Sequence, residues 1–242
     1  MILILAGTQE ARALARDLAE AGIAAEASFA GAVAQIEALP FPARIGGFGG
    51  AEGFADYLKA RGIRAVIDAT HPFAWVMTPR SFAVCQVLDL PFLRLERAPW
   101  KTVEGDRWTH LATPEDVANV VPEGARVFLS VGRKEVARYA GLKAQRVWIR
   151  SIDPVEDLPE GWSHIAGKPP FPQAQEEALL RDAGIDWLVT KNAGGAVSYA
   201  KVAAARALGV RVAMIDRPIA PQGMAQVTEV AEALDWARGL AP

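Results

Sequence analysis

One cysteine in 242 residues, Cys85, rules out an intramolecular disulfide and any metal site built from several thiolates. It lies between Val84 and Val87 in an apolar pattern, so it reads as a small buried hydrophobe rather than a nucleophile. A reducing cytoplasm is the expected setting. Histidine is nearly as scarce: His71, His110 and His164 are far apart, with no HxH or HExxH spacing, and no metal site is expected. The chain lacks a GxSxG elbow, which argues against a serine hydrolase. It also lacks a Walker A loop and a GxGxxG sequence. Charge of one sign is missing as well. A net charge of -2 gives no electrostatic case for nucleic acid or an anionic membrane. No apolar run is long enough to span a bilayer. Met1 to Ala6 is apolar but has no basic leader and runs straight into Gly7-Thr8, so a first β-strand explains it better than a signal peptide.

What is present describes a globular protein, with 51% hydrophobic and 22% charged residues in one large domain or two ordinary ones. Ile2 to Ala6 reads as a strand and Gln9 to Ala21 as a helix with Ala11, Leu14, Ala15 and Leu18 on one face. Short strands follow at Ala24 to Ala30 and Arg44-Ile45, then a helix over Ala51 to Ala60. A strand from Arg64 to Asp68, a helix reaching Leu88 and a strand over Pro91 to Leu95 complete a first half. A change of character between Glu96 and Gly105 marks the connection, dividing the chain into domains 1–100 and 101–242. The second half alternates again. Strands are expected at 127–131, 146–150, near 164–165, 187–190 and 211–215, and helices opening at Thr113 and over 173–183, 196–208 and 228–238. This alternation argues an α/β fold with mainly parallel, doubly wound sheets.

The stretch Val66 to Trp75, VIDATHPFAW, is the most informative. A buried strand ends where Asp68, Thr70 and His71 gather, and ligands of open α/β sheets sit beyond the carboxyl ends of strands. Pro72 biases His71 towards extended backbone. Two readings are open here: a ligand-facing loop, or a helix cap with a structural histidine. Other strand-to-helix junctions carry similar residues: Gly7-Thr8, Gly132-Arg133-Lys134 and Lys191-Asn192-Ala193-Gly194-Gly195. Gly46 and Gly47 lie in a run with four glycines in five residues, which allows backbone to approach a ligand closely. Such junctions gather N–H donors and cations, which suits an anionic ligand.

Several segments resemble the precorrin-6A reductases of cobalamin biosynthesis. They are GTQEA from Gly7, DATHPFA from Asp68, LRLERAPW from Leu93, GRKE from Gly132, KNAGG from Lys191 with Lys201, and MIDRP from Met214. They occur in order and span Ile2 to Pro218. Ala193 stands where the family often has serine, which removes a hydroxyl contact. The resemblance implies two Rossmann-like domains, with strand exchange between them allowed, and a cleft holding cofactor and macrocycle. It implies hydride transfer from NADPH to one double bond of precorrin-6A, giving precorrin-6B, with no metal and no protein nucleophile.

On that resemblance, Gly7, Thr8, Gly46, Gly47, Thr70 and His71 approach the dinucleotide from the first domain. Lys191, Asn192, Gly194, Gly195 and Lys201 supply phosphate or substrate contacts from the second. Arg94, Arg97, Arg133 and Lys134 are candidates for substrate carboxylates or the cofactor's 2′-phosphate. His71 is the candidate catalytic residue as proton donor, with water as the alternative. The expected partner is the anionic tetrapyrrole, with neither nucleic acid nor membrane, and no oligomeric state is assigned. A two-domain transferase for a nucleotide or tetrapyrrole, and a non-catalytic metabolite-binding protein, are the rival readings.

Overall fold

The structure, a computed structural model, describes residues 1–30, 39–152, 154–155, 157–167 and 169–240, with Lys134 described through its backbone alone. The chain forms two compact units: Met1–Ala98 joined by the stretch from Pro218 onward, and Pro99–Arg217.

The first unit is a six-stranded parallel sheet. In chain order its strands and helices are β1 (Ile2–Ala6), α1 (Gln9–Glu20), β2 (Ala25–Phe29), β3 (Ala43–Ile45), α2 (Gly50–Ala60), β4 (Ala65–Asp68), α3 (Met77–Val87) and β5 (Phe92–Leu95). β1 is apolar throughout because both faces of a parallel sheet are covered. Successive side chains point to opposite faces. Ile2, Ile4 and Ala6 enter a core with Leu14 and Leu18 of α1, while Leu3 and Leu5 enter another with Phe54 and Leu58 of α2 and Phe82 of α3.

The second unit repeats the plan with β6 (Trp108–Leu111), α4 (Val117–Val120), β7 (Arg126–Ser130), β8 (Arg146–Ser151), β9 (Trp162–Ala166), α5 (Gln173–Asp182), β10 (Trp187–Lys191), α6 (Ala200–Ala207) and β11 (Arg211–Ile215). A 3-10 helix over Arg133–Tyr139 follows β7, so the Gly132-Arg133-Lys134 junction leads into a helical segment as the sequence suggests. Leu188 on β10 packs with Leu180 of α5 and Val202, Ala204 and Ala205 of α6. The last elements are β12 (Ala225–Val227) and α7 (Val230–Gly239). Among the described residues, no helix is long and apolar enough to cross a membrane.

The sheet orders are β12-β5-β4-β1-β2-β3 and β6-β11-β10-β7-β8-β9. Each is the Rossmann order, in which succession reverses direction at one point. The reversal falls between β1 and β4 in the first sheet and between β7 and β10 in the second. The outermost strand beside each fifth strand is exchanged. β6 follows β5 in the chain yet pairs with β11, and β12 follows β11 yet pairs with β5.

The connection falls at Ala98 and Pro99, close to the expected division, but the exchange corrects the extent of the second domain. The second domain does not run to the C-terminus, because β12 completes the first sheet and α7 covers it. Ala233 and Ala237 of α7 are buried in the core containing Leu14, Leu18 and Leu93. The sequence gives little warning of either exchanged strand. β6 is only partly buried over most of its length, β12 is exposed over two of its three residues, and neither carries an apolar run.

Ala233→Asp places an unpaired carboxylate in this core and is expected to cost about 3 kcal/mol or more. Hydrogen exchange should then quicken in β1 and β5 while β10 and β11 keep their protection. Loss confined to β10 and β11 would contradict the assignment of α7 to the first unit.

Candidate functional site

The reversal point of the first sheet brings Gly7 and Thr8, after β1, beside Ala69, Thr70 and His71, after β4. Thr8 links the two junctions. Its hydroxyl donates to the Ala69 carbonyl at 2.8 Å and accepts from the Ala11 N–H at 3.2 Å, capping α1. A side chain at Gly7 would meet nothing within 4 Å, so the backbone there borders open space. The same holds at Gly47, beyond β3. Gly7, Thr8, Gly46, Gly47, Thr70 and His71 therefore share one edge of one sheet.

Arg94 braces this edge from β5. It is 1% exposed and is the largest fully buried side chain among the described residues. Its guanidinium is 2.8 Å from Asp68 Oδ1 and 2.9 Å from Glu96 Oε2. It also donates to Thr70 Oγ1 at 2.9 Å and to the His71 carbonyl at 3.2 Å. Asp68 Oδ1 accepts in turn from the Thr70 N–H and hydroxyl at 3.0 and 2.7 Å. The expectation of Arg94 as a substrate contact is corrected by this burial: its donors are turned inward and hold the loop that presents His71. Thr70 likewise uses its hydroxyl within the network. His71 is exposed, and its Nδ1 accepts from the Phe73 N–H at 3.3 Å, placing the proton of the neutral ring on Nε2. Arg97 is partly committed too, 2.9 Å from Glu10 in the first turn of α1. Cys85 lies beneath, its thiol pushed up to about 12 by burial and then by the Asp68 carboxylate, which leaves it protonated and inert.

At the reversal point of the second sheet, the loop after β10 is held from three sides. Asn192 Oδ1 accepts from the Trp100 N–H at 2.8 Å and its amide donates to the Trp100 carbonyl at 3.0 Å. The Trp100 indole donates to Gly195 O at 2.7 Å, and Arg217 donates to Asn192 O at 2.9 Å and Ala193 O at 3.2 Å. Gly194 and Gly195 have φ of 68 and 72°, a backbone that favours glycine. Asn192 is thus a brace for its loop through its amide. Lys191 pairs with Glu135. Spacing alone gives Trp100 and Arg217 no role, although both lie in the RAPW and DRP segments of the family resemblance.

Lys201 and Arg133 meet elsewhere on this edge, in a cavity of about 340 Å³ beyond β7, β8 and β9. Arg150 and Glu176 line it as well. The side chain of Lys134 lies outside the described residues.

Two parallel sheets in Rossmann order, each with a glycine-bearing loop and basic side chains at its reversal point, define a two-domain protein of the Rossmann-like class. The family described as "Precorrin-6x reductase CbiJ/CobK" matches residues 1–238. A precorrin-6A reductase of Mycobacterium tuberculosis is 43% identical, covering 99% of this chain and 98% of its own length. One from Rhodococcus erythropolis is 42% identical, covering 97% and 96%. The solved structure of CobK precorrin-6A reductase superposes with a TM-score of 0.89 at 38% identity, over 98% of this chain and 96% of that one. The chain belongs to the precorrin-6x reductase family and is an oxidoreductase, which sets aside the transferase and binding-protein readings.

Arg94→Met strands Asp68 in the core and is expected to cost about 3–5 kcal/mol in denaturant unfolding, as for other broken buried pairs. A loss below about 1 kcal/mol would mean that the network does not brace the edge.

Proposed function

We propose that this chain reduces one double bond of precorrin-6A with NADPH, giving precorrin-6B and NADP⁺ in cobalamin biosynthesis, and that it does so in a reducing cytoplasm. The observation that carries the proposal is family membership over nearly the whole chain. The first sheet supports the cofactor, because its donor set suits a dinucleotide. Open space at Gly7 allows close backbone approach, and the N–H groups of the first turn of α1 suit a pyrophosphate.

The preference for a phosphorylated ribose has its own support. Dinucleotide folds that take the free ribose place an acid about 20 residues beyond the first glycine turn. Glu26 falls there, yet its carboxylate accepts from the Tyr57 hydroxyl and pairs with Arg61 at 3.0 Å. Arg44 stands close by instead. Its guanidinium donates to Ser28 Oγ, Gly46 O and Gly47 O at 2.9 Å and lies 4.1 Å from the Phe48 ring centroid. An arginine held at that point suits a 2′-phosphate.

Bound NADPH supplies a hydride to one carbon of the double bond. The neighbouring carbon takes a proton, for which His71 Nε2 is the donor and water the alternative. Gly7, Thr8, Gly46, Gly47, Thr70 and His71 position the dinucleotide. Gly194, Gly195 and Lys191 line the second edge, where Arg133 and Lys134 serve the acidic arms of the macrocycle.

Loss of NADPH absorbance on adding precorrin-6A, with one equivalent of precorrin-6B formed, is the direct test; an absence of oxidation would refute the reading. His71→Ala should lower turnover by about 10²-fold at unchanged stability if the imidazole delivers the proton. Unchanged turnover would assign that proton to water. Arg44→Met should raise KM for NADPH by at least about tenfold and leave KM for NADH unmoved, the loss of one charge-assisted contact. Equal effects on both would remove the 2′-phosphate from its role.

A further inference from the structure

The two faces of β2 are unlike. Ala25, Ala27 and Phe29 enter the core that holds Leu14 and Leu18 of α1. Glu26 and Ser28 alternate with them and point to the opposite face, under α2. Glu26 is 5% exposed, and both its oxygens are taken. Oε1 accepts from the Tyr57 hydroxyl, and Oε2 pairs with Arg61 at 3.0 Å. Ser28 lies beside Arg44 of β3 in the sheet register and accepts from its Nη1. The Arg44 guanidinium sits in an aromatic corner, 4.1 Å from the ring centroid of Phe48 and 5.1 Å from that of Tyr57. Those two rings meet edge to face, 5.1 Å apart. Contacts therefore run from Arg61 through Glu26 and Tyr57 to Arg44, and Tyr57 touches both the acid and the arginine.

Arg44 is the surplus charge of this group. Arg44 and Arg61 accompany a single carboxylate, and Arg61 and Tyr57 hold it. Among the described residues, the hydrogen-bond acceptors of Arg44 are neutral: Ser28 Oγ, Gly46 O and Gly47 O. These bonds use both N–H groups of Nη1 and one of Nη2. The donors left over are on Nε and Nη2, the adjacent atoms whose edge takes two oxygens of a phosphate. Burial, and then the hydrogen bond and charge of Glu26, push the Tyr57 phenol above its ordinary value, so it stays protonated and keeps donating. Without that donor, Glu26 Oε1 would be a buried carboxylate oxygen lacking a partner, on the same sheet face as Arg44. Arg44 is then the neighbouring cation without a carboxylate, and the one to be drawn inward.

We propose that Tyr57 is a specificity-determining residue for the cofactor: its hydroxyl keeps Glu26 from capturing Arg44 and its ring backs the guanidinium, leaving the Nε–Nη2 edge for the 2′-phosphate of the dinucleotide. The assignment rests on the NADPH reading. Tyr57 is a positioning residue, acting through Arg44 rather than on the ligand. Preference for the phosphorylated ribose is then set in two layers, with Arg44 making the contact and the Tyr57–Glu26 bond deciding whether Arg44 is available to make it. Removing the hydroxyl while keeping the ring should turn the arginine towards Glu26 and erase the preference.

The test titrates the whole chain calorimetrically with 2′,5′-ADP, which carries the 2′-phosphate, and with AMP, which lacks it. Wild type should bind 2′,5′-ADP at least about tenfold more tightly, the worth of one charge-assisted contact. Tyr57→Phe should weaken 2′,5′-ADP about tenfold and leave AMP within about twofold. Adding Glu26→Gln should restore the lost affinity, because the released side chain no longer carries a charge to draw Arg44. In turnover with precorrin-6A, KM for NADPH should rise and recover in the same order while kcat holds. Equal weakening of both nucleotides, an unchanged preference, or no rescue by Glu26→Gln would overturn the proposal. A second pair strands no charge and reads the ring alone, even if Tyr57→Phe does not fold. Glu26→Gln should keep the preference and Glu26→Gln with Tyr57→Leu should lose about threefold of it, the scale of one exposed cation–π contact; equal preference in the two would contradict the role of the ring. If Arg44→Met abolishes the preference while Tyr57→Phe leaves it intact, the 2′-phosphate reading stands and this proposal falls. If wild type does not prefer 2′,5′-ADP, both fall.

Discussion

The buried pairing of Arg94 with Asp68 is the constraint on which the first unit's functional edge depends. Each charge alone would be costly in that interior. Together, with Thr70, Glu96 and two backbone carbonyls, they satisfy the donors of the guanidinium and fix the path of the chain after β4. The loop so fixed carries His71 outward and gives Thr8 its anchor at the Ala69 carbonyl, which in turn caps α1. One ion pair between adjacent strands thus sets the glycine turn after β1, the histidine turn after β4 and the start of the first helix.

The second unit reaches a similar end through main-chain hydrogen bonds, beside the Lys191–Glu135 pair. Asn192, Trp100 and Arg217 hold the loop after β10 through hydrogen bonds to main-chain atoms. Backbone carbonyls are thereby tied down while Gly194 and Gly195 supply the tight turn. Lys201 faces a cavity in which, among the described residues, the one carboxylate, Glu176, is taken by Arg150. The two edges carry different chemistry on the same strand order: backbone-rich and open at Gly7, side-chain-rich and cationic at Lys201.

Most of the sheet scaffold was legible in the sequence because buried parallel strands are continuous apolar runs; β1 and β11 were read to the residue. The exchanged strands were not. β6 is a short edge strand with Thr109 and His110 between its two apolar residues, β12 is three residues long, and nothing local distinguishes either from a loop. Their pairing is decided by tertiary contact, so the return of the chain to the first unit at Pro218 is not legible either. At the candidate site, spacing found the junctions but could not tell a ligand-facing cation from an internal brace. Arg94 and Lys201 are both cations near strand or helix ends, and burial gives Arg94 two carboxylate partners while Lys201, among the described residues, has none that is acidic. Arg44 and Glu26 show the same limit, since only their neighbours reveal that Tyr57 and Arg61 engage Glu26 while Arg44 is held at the Gly46-Gly47 turn.

Amide NMR of ¹⁵N-labelled protein titrated with NADP⁺ addresses the account where it is most exposed. The account predicts that Gly7, Thr8, Gly47 and Thr70 shift together with one affinity, while amides at the opposite, amino-terminal ends of β1 and β4 stay in place. Shifts confined to residues away from the β1 and β4 junctions would contradict it, and would move the cofactor off the edge that Arg94 and Asp68 hold.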